Sequence, residues 1–143
     1  MSGRLYGTYN HSIDKKRRLF LPAKIRANIG NLIIAVKSFS GQCVALYPED
    51  VWIEIEARIH EKLKLSTEDI HRNLYPELVE IEPDDQGRIP LTEELCRFAG
   101  LEKEIVTIGV GKHAEIWNNE EYEKLKSNVN TEDIRAQLRE LGL

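Results

Sequence analysis

The sequence predicts an α+β fold, mainly β with helices, in which two tandem copies of a β-turn-β-α-β-β unit share one barrel-like core. Three observations carry this. The chain repeats itself at an offset of 70, so that Asp14 falls on Asp84, Arg18 on Arg88, Leu21 on Leu91 and Gly30 on Gly100. Residues 45–52 fall on residues 115–122 at the same offset. Within each copy, short apolar runs bounded by polar turns read as strands around one brief helix. Finally, units below roughly 50 residues rarely bury a sufficient core alone, so the two copies need each other. A repeat of this length is a duplicated small domain and not a solenoid unit.

The elements follow in order. Residues 4–13 mix Leu, Tyr, Thr and His in loose alternation and read as a strand, whereas 14–17 are too polar to continue it and form a turn. Extended structure resumes at 18–21, and Pro22 opens a short helix where its missing N–H costs nothing. Gly30 is a good residue to end that helix. Strands are expected over 31–37 and 43–47, joined by a turn around Gly41. A helix starts at Pro48-Glu49-Asp50, with Trp52, Ile55, Ile59 and Leu63 spaced to make one apolar stripe. Ser66 with Asp69 resembles a capping box for a second short helix to about Leu74.

The second copy repeats this order. A strand is expected over 78–82, a polar turn with Gly87, extended structure over 88–90 and a helix over 92–98. Strands at 104–110 and 113–117 follow, then a helix from Asn119 and a last one over 131–141, with Ile134, Leu138 and Leu141 on one face. The expected domains are 8–53, a helical linker at 54–77, 78–123, and a C-terminal helical tail at 124–143.

Composition narrows the function. Hydrophobic residues at 41% and charged residues at 31% are ordinary for a globular protein. No apolar run approaches the roughly 20 residues a bilayer requires, and residues 1–10 have no apolar core for a signal peptide, so a cytoplasmic location is expected and no membrane partner. Cys43 and Cys96 lack CxxC spacing and read as buried, inert thiols. The net charge of −4 is unevenly spread: residues 1–40 carry eight cations against Asp14, a balance of +7, which leaves −11 for the rest. Such asymmetry points to one anion-binding face on an acidic body.

The chemistry concentrates in two Asp-x-x-x-Arg turns, Asp14/Arg18 and Asp84/Arg88. In each, the carboxylate is expected to fix the turn and pair with the arginine, a structural role for Asp14, Asp84 and Arg88. The first turn adds Lys15, Lys16 and Arg17 to Arg18, with Lys24 and Arg26 one helix further on, and several such cations suit phosphate contacts on DNA. The second turn, Asp84-Asp85-Gln86-Gly87-Arg88, follows Glu77, Glu80 and Glu82 and should repel phosphate, so it is assigned to assembly or core completion.

Catalysis finds no support. His11, His60, His71 and His113 lack metal-ligand spacing. Ser12 beside His11 and Asp14 is no triad, since no nucleophile elbow is present. Gly109-Val110-Gly111-Lys112 joins two strands and opens no helix, so it is no phosphate loop. Tyr47, Trp52, Trp117 and Tyr122 fall at matching positions and read as core anchors. No catalytic residue, metal, cofactor or small-molecule substrate is expected.

Residues 14–24 (Asp-Lys-Lys-Arg-Arg-Leu-Phe-Leu-Pro-Ala-Lys), Leu46-Tyr47-Pro48, residues 84–88, residues 99–106 with Ile108-Gly109, and Glu115-Ile116-Trp117 resemble the MraZ family over almost the whole chain. The resemblance implies two tandem swapped-hairpin units of the SpoVT/AbrB type forming a pseudo-dimeric β-barrel. It implies a bacterial transcriptional regulator, nucleoid-associated, that forms a homo-oligomeric ring and binds double-stranded DNA at short direct promoter repeats of the division and cell-wall gene cluster. The family's DNA-contacting arginine carries over to Arg18, and Lys16 sits at the motif lysine. Two departures carry expectations of their own. Arg17 stands where Gly is usual, adding charge and removing a left-handed turn position. Pro90, two residues after Arg88, is expected to cut the second strand short. A ring in which the basic turn pairs with a neighbour's acidic copy is the competing reading; a loosely specific nucleoid protein and an antitoxin-like regulator are others.

Overall fold

A computed structural model describes residues 2–143. Its elements are β1 (Thr8–Ser12), β2 (Arg18–Phe20), α1 (Ala23–Ile29), β3 (Ile33–Lys37), β4 (Val44–Pro48), α2 (Glu49–Lys62) and α3 (Thr67–Leu74). The second half repeats them as β5 (Val79–Ile81), β6 (Arg88–Pro90), α4 (Glu93–Ala99), β7 (Glu104–Gly109), β8 (Ala114–Asn118), α5 (Asn119–Asn128) and α6 (Thr131–Glu140). Local signals explain the boundaries. Pro22 stands just before α1, which begins at Ala23 without a side-chain cap, whereas Thr92 Oγ1 accepts the Leu95 N–H to start α4 and Ser66 Oγ accepts the Asp69 N–H to start α3.

The copies are interleaved, not side by side. The main sheet runs β1-β7-β8-β4-β3-β5, so strands of one copy sit between strands of the other, and a separate two-stranded ribbon pairs β2 with β6. The barrel expectation is corrected in one respect: neither sheet closes on itself, because the ribbon is not hydrogen-bonded into the six-stranded sheet, whose edges are β1 and β5.

The repeat offset is not uniform in three dimensions. Ala45 faces Glu115 between β4 and β8, and Leu19 faces Ile89 between β2 and β6, both at 70. In the third strand the offset is 72, since Ile33 pairs with Ile81 where Ile105 pairs with His11. Two extra residues precede β7, and the β7–β8 connection is two shorter than the β3–β4 connection. An even shift keeps every side chain on its face.

One core serves both halves. Leu19, Leu21, Ile25, Ile29, Ile33 and Leu46 pack with their counterparts Ile89, Leu91, Leu95, Ala99, Ile105 and Ile116 in a single buried cluster. A smaller cluster on the outer sheet face joins Ile34, Val36 and Tyr47 to Val51 and Trp52 of α2. Three of the four aromatic anchors are buried, with Tyr47 5.4 Å from Trp52; the fourth, Tyr122, is only partly buried on α5 and lies 6.3 Å from the buried Trp117. No helix among the described residues is long and apolar enough to cross a membrane.

Candidate nucleic-acid interface

The two polar turns share one hydrogen-bond scheme. Asp14 Oδ1 accepts the backbone N–H groups of Lys16 (2.8 Å) and Arg18 (2.9 Å), while Oδ2 accepts Arg18 Nε at 3.0 Å. Asp84 repeats this with Gln86 N (2.9 Å), Arg88 N (2.9 Å) and Arg88 Nε (2.8 Å). The N–H donors first, then the guanidinium, hold both carboxyls below the ordinary carboxylate range. Each aspartate thus fixes a turn and clamps the inner edge of an arginine fork. No hydrogen bond among the described residues occupies the terminal nitrogens of Arg18 or Arg88.

Arg17 keeps the backbone that the glycine position demands. Its φ of 62° is the only positive value at a non-glycine residue among those described, and it matches Gly87 at 83°. The expectation that Arg17 removes a left-handed position is therefore corrected. The turn hydrogen bonds and the Arg17 O···H–N Leu91 bond (2.8 Å) over-determine the conformation against a strain of about 1–2 kcal/mol.

Pro90 does not shorten its strand either. β2 and β6 each hold three residues, and the ladder uses Leu21 N–H to Gly87 O and Leu91 N–H to Arg17 O. Pro90 lies opposite Arg18, whose own N–H is already given to Asp14, so the missing proline donor costs the ribbon nothing.

Alternation then sorts the ribbon. Leu19 and Ile89 point into the core, leaving Arg18, Phe20, Arg88 and Pro90 on the outer face. Arg18 and Arg88 become diagonal neighbours on that face, with Cα atoms roughly 7–8 Å apart. Phe20, 56% exposed, lies under the Arg88 guanidinium at 6.0 Å. Sequence reading overlooked Phe20, although the Leu19-Phe20-Leu21 alternation already sets it facing out.

The other cations divide. Lys15, Lys16 and Arg17 are exposed on the first turn without an ion pair among the described residues, and Arg17 Nε donates only to Leu91 O (3.3 Å). Lys24 is exposed and sits 5.7 Å from the Tyr6 ring. Arg26 bends away to the second copy, where Nη2 lies 3.4 Å from Asp84 O and 3.5 Å from Asp85 O. Its guanidinium lies over Gly87, where an added Cβ would come within 2.7 Å of Nη1. Lys37, counted in the N-terminal excess, is paired with Glu77 (2.6 Å) and Glu94 (3.2 Å) and takes no part.

Elsewhere the polar groups serve the fold. His11 Nε2 lies 2.7 Å from the hydroxyl of buried Thr107, and burial pushes its pKa down. Glu115 pairs with His113 and accepts from Trp117 Nε1, contacts that in that order hold its pKa down. Burial raises both thiols, Cys43 to about 12; Cys43 is buried, and Cys96 only partly so. Among the described residues no three His, Cys, Asp or Glu side chains are grouped to hold a metal ion.

Comparison with known proteins places this geometry. A family model described as "MraZ protein, putative antitoxin-like" matches twice, over residues 5–73 and 74–141. Proteins named transcriptional regulator MraZ from Alkaliphilus oremlandii and Clostridium beijerinckii are 37% and 35% identical, each match covering 96% of this chain and 98% of the relative. The protein of that name from Lactobacillus johnsonii is 37% identical over the same shares.

Proposed function

The chain belongs to the MraZ family, and on that premise we propose that it is a sequence-specific transcriptional regulator that binds double-stranded DNA through the first Asp-x-x-x-Arg turn. One observation carries this reading: a turn with three unpaired cations, beside an arginine whose inner edge is braced by Asp14 and whose outer nitrogens are free. Arg18 would read a base edge or phosphate with that free fork. Lys15, Lys16 and Arg17 would add phosphate contacts, with Lys24 at the margin. Arg26 fits this role less well, since it is directed to the carbonyls of the second turn.

In this reading residues 8–53 grip DNA, and residues 78–123 complete the core and the assembly. Asp84 and Asp85 take positive charge away from the Arg88 end of the ribbon. The linker at 54–77 and tail at 124–143 supply helices for self-association. One basic turn per chain binds weakly, whereas several turns of a homo-oligomeric ring on short direct repeats raise avidity without new contacts. The proposed targets are the promoter repeats of the division and cell-wall gene cluster, engaged on the nucleoid in the cytoplasm.

Gel retardation of the chain's own upstream promoter, at two salt concentrations and against unrelated DNA, tests the reading. Expected is a shift that resists the competitor and weakens steeply with salt. No shift at low salt, together with an oligomer that dissolves in high salt, favours pairing between the basic and acidic turns instead.

A further inference from the structure

The repeat breaks down at one position on the outer face of the β2–β6 ribbon. Arg18 and Arg88 are equivalent at the offset of 70, but the equivalent of Phe20 is Pro90. In the antiparallel register Arg18 faces Pro90, whereas Arg88 faces Phe20. The flanking bonds, Leu21 N–H to Gly87 O and Leu91 N–H to Arg17 O, leave both as non-hydrogen-bonded pairs, whose side chains stand closest. Arg88 accordingly covers one side of the Phe20 ring, its guanidinium 6.0 Å from the centroid.

The two ends of this face differ in charge. At the Arg18 end, Lys15, Lys16, Arg17 and Arg18 oppose one acid, Asp14. At the Phe20 end, Arg88 and the overlying Arg26 meet Asp84 and Asp85, with exposed Glu82 two residues upstream of Asp84. That end has no excess cation to draw a phosphate. Phe20 is nevertheless 56% exposed there, two residues from Arg18 on the same face.

An apolar ring set between two arginine forks suits a surface that presents an apolar group among polar edges. The major groove of duplex DNA is such a surface. It admits a two-stranded ribbon, and the C5-methyl of thymine projects into it beside hydrogen-bonding base edges.

We propose that Phe20 is a specificity-determining residue, its ring meeting the C5-methyl of a thymine in the groove that Arg18 enters. This rests on the proposed DNA reading and adds one base to it. Two residues of strand span about 7 Å, or about two base-pair steps, so the thymine lies within about two base pairs of the Arg18 contact. The charged end of the ribbon supplies attraction to the backbone, and the neutral end supplies discrimination.

Replacing thymine by deoxyuridine removes the C5-methyl and leaves every hydrogen-bonding group in place. Fluorescence anisotropy of the full chain on duplexes of its upstream promoter repeat, with each thymine replaced in turn, tests the proposal. For the wild type, one replacement per repeat is expected to weaken binding about fourfold, the worth of one buried methyl group. Phe20→Ala is expected to bind the all-thymine duplex with at least that loss and to be indifferent to the same replacement. Phe20→Leu, which keeps an apolar contact, is expected to retain part of the penalty. Position 20 lies outside the core, and an unchanged circular dichroism melt confirms folding of both variants. A wild type blind to every replacement, or a Phe20→Ala variant that keeps the wild-type penalty, overturns the inference while specific promoter binding stands. A wild type that does not distinguish the promoter from unrelated DNA removes the DNA reading, and this inference with it.

Discussion

Asp14 and Arg18 are joined twice, through the arginine's backbone N–H at 2.9 Å and its Nε at 3.0 Å, so one carboxylate fixes both the turn and the direction of the fork. Preorganisation of this kind matters for DNA recognition, because a free arginine loses rotamer entropy on contact that a braced one has already lost. Arg18→Ala is therefore expected to weaken specific promoter binding by roughly tenfold to a hundredfold while leaving the solution mass unchanged. Fluorescence anisotropy with the promoter repeat, beside light scattering, checks both. Normal affinity in this variant would remove Arg18 from the contact. Arg88→Ala, at the acidic end of the ribbon, should cost less.

Arg17 separates stability from binding. Arg17→Gly relieves the left-handed strain at φ 62° and should raise the urea midpoint, a gain of up to about 1 kcal/mol after the extra chain entropy of glycine. The same change removes one unpaired cation, so the slope of log affinity against log salt should fall by about one. A lower midpoint would mean that the Arg17 Nε bond to Leu91 O outweighs the strain.

Leu19 faces Ile89 across the β2–β6 ribbon, and both are fully buried. Leu19→Ala should cost about 2–5 kcal/mol. Because the core is shared, residues 8–53 and 78–123 should melt together in one calorimetric transition. Two resolved transitions would contradict a common core.

Stability should fall in mild acid through His11. Burial lowers its folded pKa below the unfolded value near 6.5, so the unfolded chain binds a proton that the folded chain refuses. The contribution is whole above pH 6.5 and is lost as pH falls from there toward the folded pKa. Glu115 adds a second loss at lower pH, because its depressed folded pKa gives stability that disappears as pH falls below the ordinary carboxylate value near 4.5. Melting temperatures of wild type and His11→Gln across pH 7 to 5 check this. Parallel curves would exclude His11.

Much was legible in the chain before its fold. The duplicated Asp-x-x-x-Arg turns, the order of strands and helices, and the Ser66 cap rest on local chemistry: polar turn residues, alternating apolar positions and a side-chain oxygen three residues before an amide. The shared core was legible from unit size. The two misread positions, Arg17 and Pro90, were local inferences that tertiary context overrode. A cross-strand bond holds Arg17 in left-handed backbone, and ribbon register leaves Pro90 where no donor is required.

The repeat, its elements and the charge difference between its copies could be read from the chain, because these depend on residues near one another along it. Which cations stand free depends on the folded arrangement. Lys37 is paired with Glu77 and Glu94, Arg26 turns to the second copy, and Arg18 meets Arg88 on one ribbon face, each through partners 40 to 70 residues away. The same arrangement buries Ile70 where Ile134 is exposed, although both occupy the same place in a Thr-Glu-Asp-Ile helix. Burial depends on what the rest of the fold brings alongside, and no stretch of sequence carries that information alone.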